Sequence, residues 1–504
     1  MEDKKESLQA NDGSAQHPEQ HEFQDLSPGG EKFNDTAPLP IDEAMNTLLN
    51  RKFDRHILPW LFGMWLLAFI DRANIGNAKI DGLVEDLRLD GNKFNISLAI
   101  FYVPYICVDV PSNLVLKYFK AGQYLPALLV GWGLTATFMG FVGSFEGLLA
   151  ARFFLGLFEG GLLGGMILYL SMFYPRHAML WRIGLFYSAA PLSGAFGGLL
   201  ATGLARIKTE GYNGWPFIFF VEGAITVVFG LIAVCFLPNT PSDSKFLSPE
   251  QQEAANQRMK SDSQSSTSNA NVEKEKFDWH WVKLAIFDVN TILLSIIFFF
   301  IITPIYSFSL FLPTINSTFG YSRVVAQLLT VPPNIAGFLS VLLISWLSDH
   351  YKRRGIFMLI GCSLTLIGYI MLISTPRSLV QYGGTFFVAA GIFPCSPLVM
   401  GWLSNNLAPH YVRATGTGFQ IMLANCAAFI ATFTYIRDDA PRYTTGHAIN
   451  LGTVVGAIVT VCILLVYNTA ENRRRETGKR DYRLREGESE DRLGSRHPNF
   501  RYTL

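Results

Sequence analysis

The stretch LLAFIDRANIGNAK, residues 66–79, decides how this chain is read. An apolar run of spanning length is interrupted there by Asp71, Arg72, Asn74 and Asn77. A charge at the centre of a membrane-spanning helix costs about 2.5–3.5 kcal/mol on insertion scales, so these side chains do not belong against lipid. Either they face a water-filled cavity between helices, or they form salt bridges that set helix register.

The surrounding composition is that of a membrane protein. Of 504 residues, 50% are apolar and only 16% charged, against about 25% charged in soluble domains. The charge is crowded into the two ends and one middle segment. Apolar runs of about 20 residues fall near 57–79, 94–116, 124–143, 147–173, 181–205 and 215–237, then near 287–318, 324–347, 356–374, 379–404, 414–436 and 447–468. The expected fold is therefore an all-α membrane protein, twelve transmembrane helices arranged as two six-helix bundles related by a pseudo-two-fold axis.

The expected boundaries are a disordered cytoplasmic tail over 1–55, a first bundle over 56–237, a cytoplasmic linker over 238–283, a second bundle over 284–469 and a solvated cytoplasmic tail over 470–504. Residues 1–55 are polar, so the first span is expected to serve as its own insertion signal. Within the linker, LSPEQQEAANQRMK places Ser248 as N-cap, Pro249 at the first helical position and Gln251 where a capping box needs it. A short helix is expected there, with a flexible stretch after it and an aromatic interfacial anchor at FDWHW, 277–281.

The basic runs at 51–55 and 472–475 favour both termini on the cytoplasmic side. Asn95 and Asn316 lie in N-x-S/T sequons near the opposite helix ends. Six cysteines all fall in apolar runs with no CxxC and no Cys/His spacing, so they read as small buried hydrophobes and no metal or cofactor is expected. No basic stripe supports nucleic-acid binding, and no GxxxxGK[ST] supports an ATP-driven pump.

The halves repeat weakly. WRIGLFYSAAPLSGAF (181–196) aligns with VRATGTGFQIMLANCA (412–427), placing Arg182 on Arg413, and the same offset sets Asp349 of SWLSDHYKRRG opposite Tyr118. SWLSDHYKRRG (345–355) resembles the loop signature of the major facilitator superfamily, with Ser345 in place of its first glycine. FIDRANIGNAK, VPSNLVLK, ARFFLGLFEGG, FVEGAITVVFGLIAVCFLP and WLSNNLAPHYVRATG together resemble its anion:cation symporter branch, and within it the fungal allantoate, nicotinate and pantothenate permeases. The resemblance spans about residues 55–470. The first-half loop PSNLVLKYFKAG departs from it by lacking the aspartate that Asp349 supplies in the second half.

A second charged pair accompanies Asp71 and Arg72. In AARFFLGLFEGGLLGG, Arg152, Gly156, Glu159 and Gly160 share one helix face, the two charges about 10 Å apart. The four charges sum to zero. The resemblance implies substrate binding by Arg72 and Arg152 and proton coupling by Asp71 and Glu159. A planar guanidinium grips a carboxylate through two hydrogen bonds and does not deprotonate, which suits an anion site. Tyr102, Tyr187 and Asn425 are further candidate substrate contacts, with core or helix packing as the alternative. Asp349, Arg353 and Arg354 read as a latch at the inner gate. Pro332, Pro333, Pro394 and Pro397 are expected to bend the helices that carry them.

The expected protein is a monomeric secondary transporter in a fungal plasma membrane, moving a small organic anion together with protons. Proton-driven export of a metabolite and a non-transporting nutrient receptor of the same fold are the alternatives. An integral-membrane enzyme lacks the histidine or acidic clusters it would need.

Overall fold

Inside a bilayer every backbone N–H and C=O must be satisfied within the chain, so each apolar run becomes a helix. The computed structural model describes residues 43–116, 119–204, 214–264, 279–408, 410–485 and 493–504; the expected disorder over 1–42 and the flexible stretch 265–278 lie outside the described residues. The first half contains α1 (Glu43–His56), α2 (Leu58–Ala78), α3 (Lys93–Leu116), α4 (Ala121–Met139), α5 (Phe145–Glu159), α6 (Leu162–Phe173), α7 (Arg176–Tyr187), α8 (Ala189–Leu204) and α9 (Trp215–Phe236). After α10 (Pro249–Gln264) and α11 (Trp279–Ile286) come α12 (Val289–Ser317), α13 (Val331–Tyr351), α14 (Arg354–Ser374), α15 (Ser378–Asn406), α16 (His410–Phe433) and α17 (Thr444–Glu476). The described residues hold no strand.

Among the described residues, nine helical stretches are long and apolar enough to cross a membrane. Three further expected spans, α2, α3 and α4, are helices of 21, 24 and 19 residues. Polar side chains dilute α2, which carries Asp71, Arg72, Asn74 and Asn77. The expected fourth span is two helices meeting at Gly160–Gly161, and the fifth breaks at Ser188. Pro332 and Pro333 open α13, where a missing N–H is harmless. Pro394 and Pro397 lie within α15.

One packing scheme occurs twice. In the first half α2 packs on α8, α3 on α5 and α4 on α9. In the second, α12 packs on α16, α13 on α15 and α14 on α17. The halves meet through α2 with α12, α3 with α16 and α8 with α13, which is the pattern a pseudo-two-fold repeat generates. Outward faces are apolar: α9 exposes Ile225, Val228, Leu231, Ile232 and Phe236 while burying Glu222 and Thr226 on its other side.

The tails differ from the sequence expectation. Residues 43–56 form a helix instead of continuing the disordered tail, because Leu49 and Phe53 lie one turn apart and bury together. The Phe53 ring packs on Phe173, Tyr174 and Phe246. The expected capping box is present at α10: the Gln251 N–H donates to Ser248 Oγ at 3.3 Å, and the Ser248 N–H to Gln251 Oε1 at 3.2 Å.

At the other end the tail over 470–504 is not simply solvated. Helix α17 continues to Glu476, and in its last turns Glu471 gathers Arg474, Arg475, Arg480 and Arg483, offsetting part of their charge. Residues 493–504 then fold back across the second half. Asn472 donates to the Tyr502 carbonyl at 2.8 Å and accepts from its N–H at 2.9 Å. Asn406 likewise donates to the Thr503 carbonyl at 3.3 Å and accepts from the Thr503 N–H at 2.8 Å. Trp402 Nε1 and the Arg354 N–H donate to the Thr503 and Leu504 carbonyls, each at 2.8 Å. This strap ties the ends of α14, α15 and α17 together.

Other expectations are modified by burial. Cys362 and Cys395 are buried as expected, whereas Cys107, Cys235 and Cys462 are exposed on apolar faces, where a thiol is tolerated as a small hydrophobe. Both sequon asparagines are buried and engaged: Asn95 Nδ2 donates to the Thr432 carbonyl at 2.5 Å and Asn316 Nδ2 to the Ala326 carbonyl at 3.3 Å.

Removing the strap's side-chain grip should cost measurable stability. Asn406→Ala deletes both hydrogen bonds to Thr503 and one to Asn290 Oδ1. A loss of about 1–3 kcal/mol is expected in thermal unfolding of the purified protein, with the neighbouring exposed Asn405→Ala as the unaffected control.

Candidate functional site

Glycines bring four helices close enough to build a charged centre. A Cβ on Gly160 of α5 would lie 2.9 Å from Tyr105 Cα on α3, and one on Gly156 would lie 3.1 Å from Pro104 Cγ. Gly76 of α2 rests on the Leu310 backbone of α12 in the same way. The helix face that carries Arg152, Gly156, Glu159 and Gly160 therefore turns inward, against α3 and toward α2.

All four expected charges are buried: Asp71 is 2% exposed, Arg72 4%, Arg152 2% and Glu159 0%. Arg72 Nη2 lies 2.5 Å from Glu159 Oε1. The contact is an ion pair with almost no exposure to solvent. Arg72 Nη1 donates to Tyr306 Oη at 3.4 Å, and Tyr306 donates to Asn425 Oδ1 at 3.0 Å. This chain runs from α2 through α12 to α16 and joins the two halves of the sequence. Aromatic rings enclose the guanidinium, with Phe69 and Tyr105 each 5.0 Å away and Trp65, Phe101 and Tyr306 slightly farther.

Asp71 and Arg152 act on each other electrostatically but form no ion pair. Asp71 Oδ2 and the Nε and Nη2 of Arg152 have no hydrogen-bond partner. Arg72 therefore has Glu159 beside it and Tyr306 on its Nη1, while Arg152 has neither kind of contact. The sequence does not distinguish them.

The candidate contacts Tyr102 and Asn425 reach this centre, Tyr102 through its ring 5.4 Å from that of Tyr306. Tyr187 stands farther back, 5.3 Å from the Trp65 ring. Two residues missing from the sequence reading belong here. Tyr306 left a faint signal: the offset aligning Arg182 with Arg413 places it one turn from Arg72. Glu222 left a plain one, being a lone carboxylate in the apolar span FVEGAITVVFG. It accepts a close hydrogen bond from Asn74 Nδ2, and Asn77 Nδ2 donates to Asn74 Oδ1 at 3.1 Å.

The charges do not face open water in this conformation. A void of about 20 Å3, room for one water molecule, lies between α2, α8, α12 and α13 and is lined by Phe69, Asn77, Ser193, Ser309, Thr330 and Asn334. None of the four expected charges lines it; Phe69, which does, has its ring 5.0 Å from the Arg72 guanidinium. The expected water-filled cavity is closed here because aromatic side chains pack over the guanidinium.

At the latch, Arg354 Nη2 lies 2.5 Å from Asp349 Oδ1 and its Nη1 donates to Ser348 Oγ at 3.0 Å. The pair joins the last turn of α13 to the first residue of α14, and Arg353 is exposed in the turn between them. In the first half, which lacks the loop aspartate, Arg182 binds Asp54 of α1 through two hydrogen bonds of 2.6 and 2.8 Å.

A repeated helical membrane fold with a buried charged centre where its halves meet defines a secondary transporter. Residues 61–432 match the Major Facilitator Superfamily. An uncharacterized transporter of Schizosaccharomyces pombe is 33% identical over 94% of this chain and 93% of its own length. The major facilitator-type transporter hxnP of Emericella nidulans is 32% identical over 95% of this chain and 97% of its own. Among solved structures, the proton:xylose symporter XylE shares the fold with a TM-score of 0.62 at 16% identity, over 81% of this chain and 95% of that one. The chain belongs to the major facilitator superfamily. It is a multi-pass membrane transporter of a small molecule, not an enzyme.

The α3–α5 approach gives a sharp test of how the centre is built. Gly160→Val should push α5 off the Tyr105 backbone and cost about 1–3 kcal/mol or more of overpacking, read as a lowered melting temperature and loss of uptake together.

Proposed function

We propose that this transporter moves a small organic anion, a monocarboxylate of vitamin- or allantoate-like size, together with protons by alternating access. The buried Arg72–Glu159 pair carries this reading, because it supplies both an anion site and the acid coupled to it. A substrate carboxylate arriving at Arg72 takes over the field that Glu159 feels. Glu159, losing its counter-ion inside a buried site, then binds a proton more readily. Anion and proton thereby favour each other's binding, as reciprocal linkage requires. The unused donors of Arg152 offer a second grip on the carboxylate, with Asp71 as its counter-charge. Tyr102, Tyr306 and Asn425 present hydroxyl and amide groups around the same point, and Tyr187 stands behind Trp65.

The resemblance to the anion:cation symporter branch, and to allantoate, nicotinate and pantothenate permeases within it, supports the same substrate class. Placement in the plasma membrane as a monomer, with both tails cytoplasmic, completes the proposal and puts the Asp349–Arg354 latch at the inner gate. The small void and the buried charges fit an occluded step of the cycle.

Labelled nicotinate, pantothenate and allantoate offered to permease-deficient yeast at several external pH values would test this. Uptake of one of them should rise as the medium is acidified. Arg72→Lys keeps the charge but loses the planar fork, and a loss of about 1.5–3 kcal/mol, roughly ten- to hundredfold in uptake, is expected. Wild-type flux in that variant would remove the guanidinium clamp from the mechanism.

A further inference from the structure

Glu222 is the buried carboxylate that the coupling scheme leaves unused. Its Oε2 accepts from Asn74, and its Oε1 has no hydrogen-bond partner. Asn74 in turn accepts from Asn77, which lines the void between α2, α8, α12 and α13 and whose own Oδ1 is unpartnered. Three side chains thus form a polar line from the middle of α9 to the surface where the halves meet.

Among the described residues, no cation pairs with Glu222. On α2, the charge that acts on it is Asp71, of the same sign. Helix α4 brings only Tyr124 among titratable residues, α8 brings none, and α9 itself adds only Cys235. In the turn after α2, the Lys79 ammonium is directed at the rings of Phe94 and Phe311, 4.7 and 5.3 Å away, and Asp81 adds only negative charge. Burying an unpaired carboxylate is far costlier than burying the neutral acid.

The same conclusion follows from the charges of the whole centre. Asp71, Glu159 and Glu222 oppose Arg72 and Arg152, so full ionisation leaves an excess negative charge deep in the protein. Arginine keeps its proton under all ordinary conditions. Glu159 has Arg72 at 2.5 Å, and Asp71 has the field of Arg152. Glu222 has only neutral amides.

We propose that Glu222 is a proton-binding site of this transporter, holding a proton in the closed conformation and giving it up to water when the void opens, with Asn74 and Asn77 fixing the carboxyl by their hydrogen bonds. Its role in coupling rests on the proton-coupled reading above; its protonation does not. Release of the proton when the void opens would create a carboxylate beside Asp71, and that repulsion would favour departure of a bound anion from the same centre.

Infrared spectra of the purified full-length protein in lipid nanodiscs, stepped from about pH 5 to about pH 9, read this proton without any substrate. The wild type should show a protonated-carboxyl band at neutral pH that is lost in Glu222→Gln and kept in Glu159→Gln. A band unchanged in Glu222→Gln overturns the proposal. Should that variant fail to fold, Asn74→Ala retains the carboxyl but removes its donor, and the pH at which the band disappears should move by a full unit or more; an unmoved midpoint overturns the proposal equally. A third arm measures uptake of labelled nicotinate, pantothenate and allantoate against pH. Glu222→Gln should flatten the pH profile of the acid that is carried, and an unaltered profile removes Glu222 from coupling. A wild-type flux indifferent to the proton gradient, alongside the expected infrared band, would sink the coupled-transport reading and leave the Glu222 proton in place.

Discussion

Ionised groups inside a membrane-spanning protein must be neutralised by one another, because neither lipid nor packed hydrocarbon can solvate them. The rest of the structure is arranged around that requirement. Helix α2 contributes Asp71 and Arg72 and α5 contributes Arg152 and Glu159, so these two helices are bound by opposite charges, while Glu222 of α9 is tied to α2 by the Asn74 amide. Their backbones must approach closely for this to work. Gly156 and Gly160 permit it on α5, and Gly76 does the same where α2 meets the second half. A helix face of small residues and a face of charges are here the same face, and the packing and the electrostatics depend on each other.

The second half answers with neutral polar groups. Tyr306 and Asn425 continue the chain that begins at Arg72, so the halves are joined at the centre by hydrogen bonds and not by ion pairs. Neutral contacts of this kind recur toward the ends. Asn95 donates to the Thr432 carbonyl, and Thr202 Oγ1 donates to Gln327 Oε1 at 3.3 Å, on the side away from the tails. On the tail side a Cβ at Gly184 would sit 3.3 Å from Ser345 Oγ. Single neutral hydrogen bonds are worth about 0.5–1.5 kcal/mol each, weak enough to break in a cycle. The stronger ion pairs, Arg182 with Asp54 and Arg354 with Asp349, lie within one half or the other. Among the described residues, these ion pairs and Arg72–Glu159 each lie within one half, and single hydrogen bonds join the halves.

The helices were legible because lipid imposes length and composition on every span, and the charged residues because they violate that composition. Pairing was not legible. Charge arithmetic allows Arg72 to pair with its neighbour Asp71 or with Glu159, and only the rotation of α5 against α2 selects the latter. Glu222 obeyed the rule that identified Asp71 and could have been found by it. Tyr306 could not have been found by composition, since a tyrosine among phenylalanines reads as packing. The strap left still less trace: Asn406 and Asn472 recognise the backbone of residues 502 and 503, and backbone recognition requires no particular side chain in the segment it holds.

Tight internal pairing in a neutral centre competes with substrate and, taken alone, opposes transport. In the proposed cycle it does the reverse. A carboxylate that displaces Glu159 leaves Arg72 with one carboxylate partner before and after, so the exchange conserves the main electrostatic contact. The net binding energy is then set by the proton Glu159 acquires and by the groups around the substrate, and is not dominated by the full attraction of a bare guanidinium. An internal competitor keeps affinity moderate on both faces of the membrane, which turnover requires, and ties each exchange of partner to a change in protonation.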